Sequence, residues 1–167
     1  RQPPADCDYD VQQENCMLRG LLQTLGRDAA HNQQVMARFQ ERELALLTAG
    51  NLTRLLERLT EGMRQSFRLD SVKLVLLDPF LVLRDLLSGD AACDHRLLRD
   101  IELCTDVRAT LARFDDLHAP WLGAWLEQRD KPLFGRRLGG SVALLPLRQA
   151  DGLAGFLCLG SRDPQRF

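Results

Sequence analysis

The hydrophobic pattern is most regular near the start of the chain. Residues 9–49 contain no proline and consist mostly of glutamine, glutamate, arginine, leucine and alanine, a composition that favours helix. This predicts one long helix over residues 9–49, after an extended lead-in at residues 1–8 that contains Pro3 and Pro4. Every seventh residue from Val11 forms a mostly apolar row, which consists of Val11, Leu18, Leu25, Asn32, Phe39 and Leu46.

A heptad row of this length favours a dimeric coiled coil, so the row is the predicted dimer interface of a homodimer. A single asparagine in such a row, here Asn32, fixes the register of the two helices at some cost in stability. The alternative is an amphipathic helix that packs on its own domain and leaves Asn32 exposed. Gly20 and Gly26 each weaken the helix by about 1 kcal/mol relative to alanine, so we expect its first half to bend or fray.

A second helix and one or two strands follow. Gly50 and Asn51 tolerate the backbone conformation that ends a helix, and Asn51 or Thr53 is a suitable cap for the next one. Residues 71–77 alternate in part between apolar and polar side chains and predict a strand, and the mostly apolar residues 80–87 predict another. The second helix has its apolar residues at helical spacing on one face, at Leu52, Leu55, Leu56, Leu59, Met63 and Phe67.

The C-terminal part predicts a β-hairpin. Two apolar runs at residues 141–147 and 153–160 are joined by a turn that ends in Asp-Gly. Pro146 cannot donate a ladder hydrogen bond and is expected at an edge or a bulge, whereas Gly155 predicts the close approach of another element. Residues 91–135 fit either short helices or a mixture of strands and helices. The whole order predicts an α+β domain, with a largely antiparallel sheet and helices on one face.

Composition and charge exclude several classes of function. The 22 basic and 23 acidic residues give a net charge of −1, which argues against a dedicated nucleic-acid partner. No apolar run approaches the roughly 20 residues of a membrane helix, so no membrane partner is expected. The five cysteines are odd in number and form no CxxC pair, which predicts a reduced, cytoplasmic location and mostly buried thiols.

Motifs for catalysis and metal binding are missing from the sequence. It has no Gly-x-Ser-x-Gly around a serine nucleophile and no Gly-x-x-x-x-Gly-Lys phosphate loop. Cys93, His95 and Cys104 would supply three zinc ligands, but their spacing matches no common zinc site. We therefore predict no catalytic residues, no metal and no cofactor, and expect that this chain is not itself an enzyme.

The C-terminal hairpin carries a family resemblance. Its second strand, rich in glycine and apolar residues and ending in Gly160 and Ser161, resembles the closing hairpin of GAF-like sensory domains. The sequence GSRDPQRF at residues 160–167 is similar to one GAF-like proteobacterial family of unknown function. Further similar stretches are ELALLTA at residues 43–49, LLERL at 55–59, FRLDSV at 67–72 and PWLG at 120–123.

The resemblance implies a domain organisation and a partner. In that family, a helix followed by a GAF-like unit often precedes a GGDEF domain, which makes cyclic diguanylate. This implies a dimerisation and signalling helix at residues 9–49, a GAF-like sensory domain at residues 50–167 and a GGDEF domain downstream in the same polypeptide. No GGDEF sequence and no final GAF helix are present, so we expect the chain to be part of a longer protein.

The resemblance also implies a ligand pocket between the sheet and residues 91–137. Its expected apolar walls and polar contacts are Phe114, Trp121, Trp125, Phe134, Arg113, Arg136 and Arg137. The alternative is that the aromatic residues fill the core and the arginines face water. Two functions follow: a sensory domain that dimerises, binds an unidentified small molecule and controls a diguanylate cyclase, or a ligand-free dimerisation or protein-interaction scaffold.

Overall fold

The computed structural model describes residues 6–91, 93–115, 117–135, 138–150 and 152–167, with side chains from residue 11 onward. The chain divides into two compact units, residues 1–43 and residues 44–167. Most of the first unit belongs to helix α1 (Asp6–Leu47), which confirms the predicted long helix. The helix begins at Asp6, so residues 6–8 are helical rather than extended, and the rest of the expected lead-in lies outside the described residues.

The second unit begins with a tight connection between two helices. Asn51 caps helix α2 (Leu52–Phe67), because its side-chain oxygen accepts a hydrogen bond of 2.8 Å from the backbone N–H of Arg54. The Arg58 guanidinium reaches back to the end of α1, where it donates to the carbonyl of Ala45 at 2.5 Å and to the hydroxyl of Thr48 at 2.9 Å. These bonds satisfy polar groups that the end of α1 leaves unpaired.

A mixed sheet forms the centre of the second unit. Its described strands are β1 (Ser71–Leu77), β2 (Ile101–Cys104), β3 (Trp121–Ala124), β4 (Ser141–Gln149) and β5 (Gly152–Ser161), in the spatial order β2-β1-β5-β4-β3. The α+β class is confirmed, and β1–β5, β3–β4 and β4–β5 are antiparallel as predicted. The pair β1–β2 is parallel instead, because the intervening helices return the chain to the same end of the sheet.

The helices cover both faces of this sheet, which corrects the expectation of helices on one face. Alternate residues of a strand point to opposite faces, and in β5 Leu157 and Leu159 belong to one apolar cluster while Phe156 and Cys158 belong to another. The first cluster is covered by α2, α3 (Val82–Ser88) and α4 (His95–Asp100). The second is covered by α5 (Val107–Arg113) and α6 (Glu127–Phe134).

The prediction of a strand at residues 80–87 was wrong, since helix α3 occupies most of this segment. Asp78 is buried, and its carboxylate accepts hydrogen bonds from the backbone N–H groups of Leu83 at 3.1 Å and Arg84 at 3.0 Å. Leu81 turns the chain with a left-handed backbone, at a φ of 60°. The short helix therefore starts because a buried carboxylate satisfies its first donors.

The middle segment, residues 91–135, is a mixture of strands and helices, one of the two predicted alternatives. Two of its helices begin at aspartate caps: Asp94 accepts from the N–H groups of Arg96 and Leu97, both at 2.9 Å, and Asp106 accepts from Ala109 at 3.0 Å.

The C-terminal hairpin follows the sequence prediction closely. Pro146 lies beyond the last residue of β4 that pairs with β3, Leu144, so its missing donor faces no neighbouring strand. A β-carbon at Gly155 would collide with the backbone oxygen of Val75, which confirms the predicted close approach. The turn is shorter than expected because the two strands extend to Gln149 and Gly152.

Candidate functional site

The four aromatic residues of the predicted pocket lie in one apolar cluster. Phe114 is buried and stacks on Phe156, with 4.0 Å between ring centroids and 19° between ring planes. Trp121, Trp125 and Phe134 are half-buried and pack against the same cluster. The four aromatic residues that were predicted to share a pocket therefore lie close together in the fold. Phe114 fills the core beneath the sheet.

The predicted arginines have a different arrangement. Arg113 donates to the carboxylate of Glu102 at 2.6 Å, and its guanidinium carbon lies 5.6 Å from the centroid of the Phe114 ring. Arg113 is thus already paired with an acidic side chain. Arg136 and Arg137 lie outside the described residues.

The sequence reasoning missed the polar group at the start of α6. Asp130 is fully buried and accepts hydrogen bonds from the N–H of Leu126 at 2.7 Å and from Arg129, whose Nε and Nη2 lie at 2.7 and 3.0 Å. The guanidinium of Arg129 lies over the ring of Trp121, 3.7 Å from its centroid, as in a cation–π contact. Asp130 therefore holds the Arg129 guanidinium in position, and this guanidinium covers the ring of Trp121, a predicted pocket residue.

A cleft beside these residues is the candidate ligand site. We call it the α6 cleft; it has a volume of about 960 Å³ and is lined by Arg113, Asp115, Leu126, Glu127, Gln128, Arg129, Lys131 and Pro132. Of the predicted pocket residues that the structure describes, only Arg113 lines it. Lys131 donates to Glu127 at 2.8 Å, and this hydrogen bond lowers the pKa of the Glu127 carboxyl. The cleft thus presents paired charges of both signs.

Trp125 contributes a donor near this part of the fold. Its indole Nε1 is buried and has no hydrogen-bond partner among the described residues. Its backbone N–H, in contrast, donates to the carbonyl of Gly140 at 3.0 Å. A buried unpaired donor is uncommon in native proteins, and Trp125 is not among the residues that line the α6 cleft.

A second cleft, of about 310 Å³, lies between α2 and α4, and no motif in the sequence predicts it. Asp100 accepts from Lys73 at 2.7 Å and lies 3.5 Å from Arg64, which also pairs with Glu61. These ion pairs link α2, β1 and the end of α4. The residues that line the cleft are Thr53, Glu57, Thr60, Glu61, Arg64, Asp94, Arg96, Leu97 and Asp100.

The predicted dimer row on α1 is largely exposed to solvent. Val11, Leu18, Leu25 and Phe39 are between 48% and 55% exposed, and Asn32 is exposed as well. Leu46 differs from the others, because it belongs to the second unit and is half-buried there. A neighbouring row with the same seven-residue spacing contains Leu22, Ala29 and Met36. Leu22 and Met36 are also exposed, at 67% and 58%.

Cys93, His95 and Cys104 are not brought together as a set of metal ligands. Across the described ranges, no group of three or more histidine, cysteine, aspartate or glutamate side chains is arranged to hold a metal ion. Burial raises the pKa of the Cys93 and Cys104 thiols, which disfavours the thiolate form that binds metals. Within the same part of the chain, the helices are too short or too polar to cross a membrane.

Comparison with known proteins gives a family match across nearly the whole chain. A family model described as "Protein of unknown function, DUF484" matches residues 10–167, which include α1 from residue 10 onward and all the described strands. No curated protein matches the chain.

Proposed function

We propose that this chain, which belongs to the DUF484 family, is a dimeric regulatory module of a cytoplasmic signalling protein and has no catalytic activity of its own. The observation that carries the proposal is the exposed apolar surface of α1. Leu18, Leu22 and Leu25 are each more than half exposed, although they recur on one side of a single long helix. Such a surface is typical of a helix that pairs with another helix.

Burial of this surface supplies free energy of the magnitude that a dimer requires. A leucine side chain that passes from water into an interface gains about 1.5–3 kcal/mol when it was fully exposed, so a half-exposed one gains roughly 1 kcal/mol. Counted over both helices, the exposed apolar residues contribute on the order of 10 kcal/mol. That is comparable with the estimated cost of association, about 4–15 kcal/mol.

The proposed output is a GGDEF domain that follows a GAF-like domain in the same polypeptide. The resemblance of the C-terminal hairpin to GAF-like domains supports this part of the proposal. A diguanylate cyclase must bring two active sites together, so the geometry of a dimer is a direct means to control it. The candidate signal is a small molecule that binds in the α6 cleft, near Arg113 and Arg129.

One observation favours a second function, a ligand-free dimerisation or scaffold domain. Phe114 is only 2% exposed and stacks on Phe156, so this part of the predicted pocket is filled by protein. Native mass spectrometry of protein purified from cells separates the two functions. A co-purified small molecule supports the sensory function, and protein that consistently carries no ligand supports the scaffold.

Sedimentation equilibrium tests the dimer itself. Leu18→Asp combined with Leu25→Asp should give monomers, because four carboxylates would otherwise be placed in the interface of each dimer. The matched control is Gln23→Asp combined with Gln34→Asp, two exposed positions on the opposite side of the helix, which should leave the dimer intact. A wild-type chain that stays monomeric at high concentration refutes the proposal.

The link to the output is tested in cells. With the complete protein, the substitutions Leu18→Asp and Leu25→Asp should change the level of cyclic diguanylate, whereas the two glutamine substitutions should not. An unchanged level of cyclic diguanylate in a protein shown to be monomeric contradicts the proposed control of a cyclase.

A further inference from the structure

We infer that two copies of α1 pair in parallel and in register. The inference rests on the proposed function, since it concerns the orientation of the proposed dimer. It uses a surface that we call the α1 stripe, which combines two adjoining heptad rows. The α1 stripe consists of Val11, Asn15, Leu18, Leu22, Leu25, Ala29, Asn32, Met36 and Phe39.

The α1 stripe has the spacing of a coiled-coil seam. Its members alternate between steps of four and three residues, which keeps them on one side of a helix that is slightly underwound. Gly20 and Gly26 lie outside it, and an added β-carbon at either glycine would have open space around it. The two residues that weaken the helix therefore do not occupy the layers of the α1 stripe.

Polar residues in the α1 stripe are matched in the parallel arrangement. In a parallel, in-register pair, each residue faces its own counterpart, so Asn32 meets Asn32 of the second copy and the two amides can hydrogen-bond. Asn15 meets its counterpart in the same way. Four consecutive apolar layers then lie between the two asparagine layers, formed by Leu18, Leu22, Leu25 and Ala29.

Charged residues beside the α1 stripe favour the same arrangement. Glu14 and Arg19 are exposed and flank the stripe on opposite sides. In a parallel pair, residues at these two positions meet across the interface, so Glu14 of each copy faces Arg19 of the other. Arg19 is five residues from Glu14 in its own chain, a spacing that places the two side chains on different sides of the helix.

The best antiparallel arrangement lacks these charge contacts. When Leu22 of one copy is placed opposite Leu25 of the other, Leu18 faces Ala29 and Asn15 faces Asn32. Glu14 then lies beside Val35 of the second copy. The antiparallel pair keeps the apolar layers and two amide contacts but forms no ion pair at Glu14, so the charge pattern decides the orientation.

Disulfide cross-linking tests the orientation directly. Leu18→Cys and Ala29→Cys are introduced separately, with Cys7 and Cys16 replaced by serine so that no other cysteine of the first unit reacts. In the parallel pair, each variant alone forms a cross-linked dimer under mild oxidation. A mixture of the two variants gives no mixed dimer, because residues 18 and 29 are about 16 Å apart along the helix axis, beyond the reach of a disulfide.

Other outcomes of these experiments would contradict the orientation, the location of the interface or the dimer itself. A cross-link that forms only in the mixture refutes the parallel orientation and leaves the dimer intact. A dimer by sedimentation that cross-links in neither experiment places the interface away from the α1 stripe. Protein that is monomeric by sedimentation refutes the proposed function itself, so the two failures are distinguishable.

A charge exchange gives an independent measurement. Glu14→Arg should weaken the dimer about tenfold at low salt, since it removes two ion pairs and adds like charges. The combined exchange Glu14→Arg with Arg19→Glu should restore the dissociation constant to within about threefold of the wild-type value. If the two substitutions change the free energy of dimerisation additively, the proposed contact between Glu14 and Arg19 of opposite copies is contradicted.

Discussion

Replacing Asp130 with alanine removes a carboxylate that is completely buried where α6 begins. Asp130 accepts one hydrogen bond from the N–H of Leu126 and two from the guanidinium of Arg129. The substitution leaves that N–H without an acceptor and leaves the Arg129 charge without its partner. The guanidinium is also released from its position over the Trp121 ring. The α6 cleft thus loses the group that orients one of its walls.

The expected loss of stability follows from burial. Removing one partner of a buried ion pair costs about 3–5 kcal/mol. The Arg129 side chain is 14% exposed and can shift toward water, so we expect the lower part of that range, about 3–4 kcal/mol. For a chain of this length, such a loss lowers the thermal midpoint by roughly 6–16 °C. Asp130→Asn keeps one acceptor for Leu126 and should lose about half as much free energy.

The assay is urea unfolding at a fixed protein concentration, followed by circular dichroism and tryptophan emission. The concentration is held constant because dimer formation stabilises the folded state by mass action. The matched control is Glu127→Ala on the same helix, which breaks the Glu127–Lys131 ion pair at the surface. Exposed pairs contribute little, so this variant should unfold at nearly the wild-type urea concentration.

Two results would refute the reasoning about Asp130. One is an Asp130→Ala protein that unfolds within about 1 kcal/mol of wild type, a loss typical of an exposed pair. The other concerns the double variant Asp130→Ala with Arg129→Met, which removes both charges and should recover part of the lost stability. A double variant that is less stable than Asp130→Ala alone would show that the unpaired charge is not the source of the loss.

Three further predictions test the fold by urea unfolding. Asp78→Ala should cost about 1–2 kcal/mol and speed hydrogen exchange at the Leu83 amide; unchanged exchange there contradicts the cap. Gly155→Ala should lower the free energy of unfolding by about 2–3 kcal/mol, because its methyl group meets the β1 backbone. The control Gly20→Ala should raise the free energy of unfolding by about 1 kcal/mol. Equal effects of the two substitutions would refute the contact at Gly155. Burial raises the pKa of Cys158 from 9.0 to about 12, so stability should fall as pH rises above 9. The unfolded state releases a thiol proton there that the folded state retains, and Cys158→Ala should reduce this slope.

The sequence predicted the elements whose signals are local. Residues 71–77 form a strand with the predicted bounds, and Asn51 is the helix cap. Pro146 and Gly155 occupy the positions that their backbone chemistry requires. In each case one residue or one short pattern decides the local structure, so no distant contact is needed to interpret it.

The wrong predictions depended on contacts that the apolar pattern of a segment does not reveal. The apolar run at residues 80–87 is typical of a strand, but the buried Asp78 carboxylate starts a helix there. The parallel pairing of β2 with β1 requires a crossover connection that no pattern in either strand reveals. Helices on both faces follow from that crossover and from the later helices α5 and α6.

The candidate site was only partly predictable. Aromatic residues indicate burial, so their common cluster could be expected from Phe114, Trp121 and Phe134. Arg129 and Asp130 are neighbours in a polar segment, a pattern that indicates an exposed helix. Their burial depends on how α6 packs against the sheet, which one sequence does not specify.

The order of the strands has a consequence for synthesis of the protein on the ribosome. Strand β5 is the last described strand to be translated, yet it lies between β1 and β4. Before residues 152–161 emerge, the nascent chain contains only two separate ribbons, β2–β1 and β3–β4, and two-stranded ribbons are marginally stable in water. The sheet therefore closes after translation of nearly all of this chain, and a message truncated before Gly152 yields a product that cannot join its two halves.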